Sequence, residues 1–85
     1  MTIEQFEEAI WEVDGLRVVV RAKANVDIGE YDRVNASNER WSVTQWLESD
    51  RLQGLQGHEI IVIGGNGEEP HGKTLLRTVR ASYTA

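Results

Sequence analysis

The sequence predicts an α+β domain: a small antiparallel sheet of three to four strands with two helices packed on one face. Three observations lead there. Two segments, opening at Thr2 and Ser42, carry helix-capping signals ahead of an apolar stripe. Other segments are β-branched and either alternate or are apolar throughout. The resulting order is helix, strand, possible strand, helix, strand, strand. The chain of 85 residues suits one domain spanning residues 1–85.

Residues 2–14 read as the first helix. Thr2 and Gln5 fit a capping box, and Met1 and Phe6 sit where a hydrophobic staple places them. Ile3, Phe6, Ile10 and Val13 recur at helical spacing, and Gly15 supplies a left-handed cap. From Leu16 to Ala24 apolar residues alternate with Arg17, Val19, Arg21 and Lys23, as in a half-buried strand. Val26 to Val34 reads either as a second, irregular strand broken at Gly29 or as none. Asn35 to Arg40 reads as loop.

The second helix opens at Ser42, with Gln45 completing a capping box and Trp41 and Trp46 a staple. Val43, Trp46 and Leu47 form its apolar face, and its end is expected between Asp50 and Gly57. Glu59 to Ile63 is nearly all β-branched and reads as a central strand. Gly64 to Gly72 is a turn region holding the only proline. Thr74 to Tyr83 alternates imperfectly and is read as a returning antiparallel strand. Leu75, Leu76, Val79 and Tyr83 fit a helical stripe as well.

Composition excludes several classes. Without cysteine there is no disulfide and no thiolate zinc site. No apolar run approaches the roughly 20 residues of a membrane span. Met1-Thr2-Ile3-Glu4 is no signal-peptide start, so a soluble cytoplasmic protein is expected, bacterial or in a host cell. Cofactors and metals are not expected, and no nucleophile–base spacing argues for catalysis. His58 reads as a strand start. His71 near Glu68 and Glu69 reads as a solvated loop histidine.

Gly67 to Thr74 matches the phosphate-binding pattern G-x-x-x-x-G-K-[ST]. Three facts oppose that chemistry. Too little chain follows Thr74 for a nucleotide-binding sheet. Glu68 and Glu69 would repel phosphate inside the cradle. The motif also needs a following helix, where a strand fits at least as well. It is read as a glycine-rich hairpin loop.

Charge is unevenly placed. Residues 1–15 hold Glu4, Glu7, Glu8, Glu12 and Asp14 and no base, so this stretch carries the whole net charge of −5. Arg17, Arg21, Lys23 and Arg77 form a possible secondary basic face on the expected sheet. An RNA-binding sheet would stack bases on aromatics, and the central positions here hold Val19 and Leu75. The first helix opposes its own stability. Glu4–Glu8 and Glu8–Glu12 are like-charge pairs, each costing roughly 0.2–0.5 kcal/mol. Glu12 and Asp14 lie where the macrodipole disfavours anions by roughly 0.3–1 kcal/mol. Charged faces are usually only solvated. The functional alternative is a partner-binding face of Glu4, Glu7, Glu8, Trp11, Glu12 and Asp14.

In size and style the chain resembles the small phage- and mobile-element-encoded inhibitors known as anti-CRISPR proteins. The likeness rests on a compact α+β domain, the acidic Met1–Asp14 helix and the lack of a catalytic signature or export signal. That class shares no motif, so no residue role is carried over from it. The resemblance implies a non-enzymatic viral inhibitor that binds a CRISPR surveillance complex and blocks a DNA-binding surface. The expected partner is a protein or ribonucleoprotein with a basic surface, with no membrane and no direct nucleic acid. The protein itself is expected as a monomer or homodimer. The alternatives are a small nucleic-acid-binding module using the basic sheet face, and an assembly subunit.

Overall fold

Helix α1 (Ile3–Asp14) is closed at both ends as its sequence requires. The Thr2 hydroxyl accepts the Gln5 amide, and the Gln5 side chain accepts the Thr2 amide. Gly15 terminates the helix at φ 66°, where a side chain would be strained. The computed structural model describes residues 1–22 and 26–84. Its elements continue with β1 (Arg17–Arg21), α2 (Val43–Leu47), a 3-10 helix (Asp50–Leu55), β2 (Glu59–Ile63) and α3 (Leu76–Ser82).

Among the described residues the sheet has two antiparallel strands, not three or four. Arg17 pairs with Ile63, Val19 with Ile61 and Arg21 with Glu59. Val18, Val20 and Val62 turn inward, and α1 brings Phe6 and Ile10 against them. Each large side chain so buried contributes roughly 1.5–3 kcal/mol. Leu16, Ile28, Tyr31, Val43, Trp46, Leu55, Leu76 and Val79 complete one core cluster. Arg17, Val19 and Arg21 face solvent on the outer side of β1.

One expected strand and one possible strand are absent among the described residues. Thr74 to Tyr83 is not a strand, because its C-terminal part forms α3. Leu76 and Val79, three positions apart, are the buried residues there, so the helical stripe prevails over the alternation. The stretch from Val26 to Val34 is irregular. Its backbone bonds go to distant chain: Ile28 N–H donates to the Met1 carbonyl and Gly29 N–H to the Gly54 carbonyl, at 2.9 and 2.7 Å. Gly29 and Gly54 cross so closely that a Cβ on Gly54 would stand 2.8 Å from the Glu30 carbonyl oxygen. The second helix keeps its predicted start, with the Ser42–Gln45 capping box formed. Its α-helical part ends earlier than expected, at Leu47, and the following turns tighten to 3-10 geometry.

The starts of α2 and α3 are zipped together. Ser42 and Leu75 form an isolated antiparallel bridge. Val43 N–H donates to Thr74 O, Thr44 N–H to Gly72 O, and Leu76 N–H to Trp41 O. The loop carrying the phosphate-binding pattern is therefore bound to protein. Its Gly67, Glu68, Lys73 and Thr74 amides donate to Gly64 O, Asn66 Oδ1, His71 Nδ1 and His71 O. Those amides are not available as an anion cradle.

Candidate functional site

The period of α1 divides its acids between surface and interior. Phe6 and Ile10 point inward, which turns Glu4, Glu8, Trp11 and Glu12 outward. Glu4, Glu8 and Glu12 stand one above another at steps of roughly 6 Å along the axis. Among the described residues none of the three has an ion-pair partner. Glu7 sits differently. It is half-buried and its carboxylate accepts the Val20 N–H at 2.9 Å, covering an edge amide of β1.

Trp11 is 40% exposed and is held in place by two neighbours. The Arg17 guanidinium lies 4.5 Å from the centre of its ring. The Tyr83 ring meets it edge to face at 5.5 Å. Tyr83 is itself anchored in the sheet. Its hydroxyl accepts the Arg17 N–H at 2.9 Å and donates to Ile63 O at 2.6 Å. A phenol is thus spliced into the last pair of the ladder. Burial raises the Tyr83 pKa above its ordinary value of 10.0. Glu7, Glu8, Trp11, Arg17 and Val18 line a shallow depression of about 270 Å³ on this surface.

Asp14 is not on the surface. It is 1% exposed, and its carboxylate accepts the Tyr31 hydroxyl, the Ser37 N–H at 2.8 Å and the Arg51 guanidinium at 3.2 Å. Arg51 also donates to Asn35 O at 2.9 Å. Arg80 donates to the Asp14 carbonyl at 2.6 Å and to the carbonyl and hydroxyl of Ser37 at 3.0 Å. Two arginines from other elements thus supply the positive charge that the last turn of α1 lacks. Desolvation, then the hydrogen bond to Asp14, raises the Tyr31 pKa well above the phenol range. This interior clasp fastens the irregular segment before α2 onto α1, the 3-10 helix and α3. The charge pattern of α1 groups Asp14 with the partner-binding acids, but the fold buries it. The one signal for its true role was an aspartate set against the helix dipole.

The secondary basic face does not assemble as one sheet surface. Arg17 and Arg21 lie on the outer face of β1, with Val19 between them at 47% exposure. Arg77 belongs to α3, and its amide donates to Glu39 O. Lys23 lies outside the described residues. Among the described residues no group of three or more His, Cys, Asp or Glu could hold a metal ion. No helix among them is long and apolar enough to cross a membrane.

Comparison with protein-family models, curated proteins and solved structures returns no match.

Proposed function

We propose that this is a non-enzymatic binding protein that docks the exposed face of α1 onto a basic surface of a protein or ribonucleoprotein. The observation that carries this reading is a contrast in counterions. The acid that the fold buries, Asp14, receives an arginine ion pair. The exposed row Glu4, Glu8 and Glu12 has no ion pair among the described residues. Repulsion within that row is therefore relieved by no ion pair within the described fold, and a basic partner would relieve it. Trp11, Arg17 and Tyr83 add the residue types that dominate binding energy at interfaces, already held in one geometry.

The target class follows from the resemblance to anti-CRISPR inhibitors. The row of carboxylates would occupy a Lys/Arg-lined surface of a CRISPR surveillance complex that otherwise holds DNA. The test is a gel shift of target DNA with such complexes, with and without the protein. Wild-type protein is expected to prevent the shift, less effectively as salt rises. The triple variant Glu4→Lys, Glu8→Lys, Glu12→Lys is expected to leave it intact. Equal inhibition by both proteins would overturn the reading, as would inhibition by neither.

A further inference from the structure

At the N-terminal end of α1 the acidic face borders a groove. It has a volume of about 630 Å³ and lies between the first turns of α1, the end of β1 and the Val26–Asp27 stretch. Ile3, Val20, Ala22 and Val26 supply apolar walls, and Glu4, Glu7 and Asp27 supply carboxylates. Among the described residues no basic side chain lines it. The Met1 amino group donates to the Ile28 carbonyl at 3.0 Å and is not part of the lining.

An apolar trough with a carboxylate rim selects its occupant on two grounds. The walls favour an aliphatic stem, because apolar surface leaves water there. The rim favours a cation and rejects anions. Lysine and arginine side chains combine a stem of methylenes with a charged head, and they bury the stem while keeping the head polar. A small inorganic cation would leave the walls wet, and a neutral aliphatic chain would leave the carboxylates unmatched. From this complementarity we infer that the groove receives one long cationic side chain, lysine or arginine, of the basic partner. The inference rests on the proposed binding role and deepens it. The row Glu4, Glu8 and Glu12 supplies broad attraction, and the groove supplies a specific anchoring position. Glu4 belongs to both, which makes the two contacts continuous.

The test is methyl-detected NMR of the full chain at low salt, titrated with N-acetyl-arginine amide, N-acetyl-lysine amide and the uncharged N-acetyl-norleucine amide. The methyl signals of Ile3, Val20, Ala22 and Val26 are expected to move saturably with one or both cationic amides and not with norleucine. The double variant Glu4→Gln, Asp27→Asn changes two exposed side chains. It is expected to keep its thermal melt and weaken binding by roughly tenfold, the equivalent of about 1.4 kcal/mol. Which amide binds more tightly assigns the side chain. Silent groove methyls overturn the inference, as does an equal response to norleucine or an unchanged affinity in the double variant. A response that emerges only in Lys23→Ala protein also overturns it, since the occupant would then be the chain's own lysine. Silent methyls together with a DNA gel shift still governed by Glu8 and Glu12 would remove the groove and leave the α1 reading standing. Silent methyls with no inhibition in that gel shift would remove both.

Discussion

The Tyr31 hydroxyl donates to the Asp14 carboxylate inside the core, joining the irregular middle of the chain to the end of its first helix. Both partners are held further by Arg51, so the pair is neutralised and hydrogen-bonded where it is buried. Removing one member leaves charge or donors stranded. Asp14→Ala is therefore expected to cost about 3–5 kcal/mol. A chain of this size holds only about 4–13 kcal/mol in total, at the usual stability per residue. Asp14→Asn keeps one acceptor and should cost less. Urea denaturation of the two variants checks both the size and the order.

The same pair sets an alkaline limit. The folded-state pKa of Tyr31 lies above the ordinary value of 10.0, because burial and the Asp14 hydrogen bond disfavour the phenolate. Below about pH 10 both folded and unfolded chains keep the proton, and the stabilisation is fully present. As pH rises past that value the unfolded chain releases its proton first, so stability falls. Tyr83 acts in the same direction. Thermal melts between pH 7 and 11 should show the loss beginning near pH 10. In Tyr31→Phe protein the loss should be shallower.

Gly54 lies where two backbone segments cross, with no room for a side chain. Gly54→Ala must push Glu30 aside or strain the 3-10 helix. A loss of about 1–3 kcal/mol is expected, as for other overpacked sites. Gly57→Ala has open space around its Cβ position but a φ of 88°, so its cost is conformational only. Chemical denaturation of the two variants separates crowding from backbone preference.

Stability and binding should part company on α1. Together, Glu8→Lys and Glu12→Lys make the pair with Glu4 attractive and put a cation where the helix dipole favours one, while positions 8 and 12 stay like-charged. The double variant is expected to gain roughly 0.5–2 kcal/mol from those terms. It should lose inhibition in the gel shift. A variant that gained stability and kept full inhibition would make the acidic row a solvated face only.

Tyr83→Phe removes the hydroxyl between Arg17 N–H and Ile63 O. The expected cost is about 1–3 kcal/mol for the stranded groups. Amide exchange at Arg17 should accelerate more than at Val19, and hydrogen exchange by NMR reads this directly.

How far the sequence reached depends on where each residue's partners lie. The caps of α1 and α2 were legible because Thr2–Gln5 and Ser42–Gln45 satisfy each other within one turn. Both strands were legible from β-branching and alternation. The stretch from Val26 to Val34 was not, because its backbone partners, Met1 and Gly54, are remote and its conformation follows a glycine crossing. In Thr74 to Tyr83 two periodicities fitted, and only the burial of Leu76 and Val79 decides between them. The exposed row Glu4, Glu8, Trp11 and Glu12 could be read from helical period alone. The role of Asp14 could not, since Arg51 and Arg80 stand 37 and 66 positions further along.

Those separations bear on how the chain reaches its folded state. The clasp at Asp14 draws on α1, the segment around Ser37, the 3-10 helix and α3, so no contiguous half of the chain contains it. Closing it requires loops that span most of the sequence, and contacts of that kind form slowly. Folding should therefore resemble a latch that engages late and all at once. A chain cut between Arg40 and Trp41 should show little order in either fragment until the two are mixed.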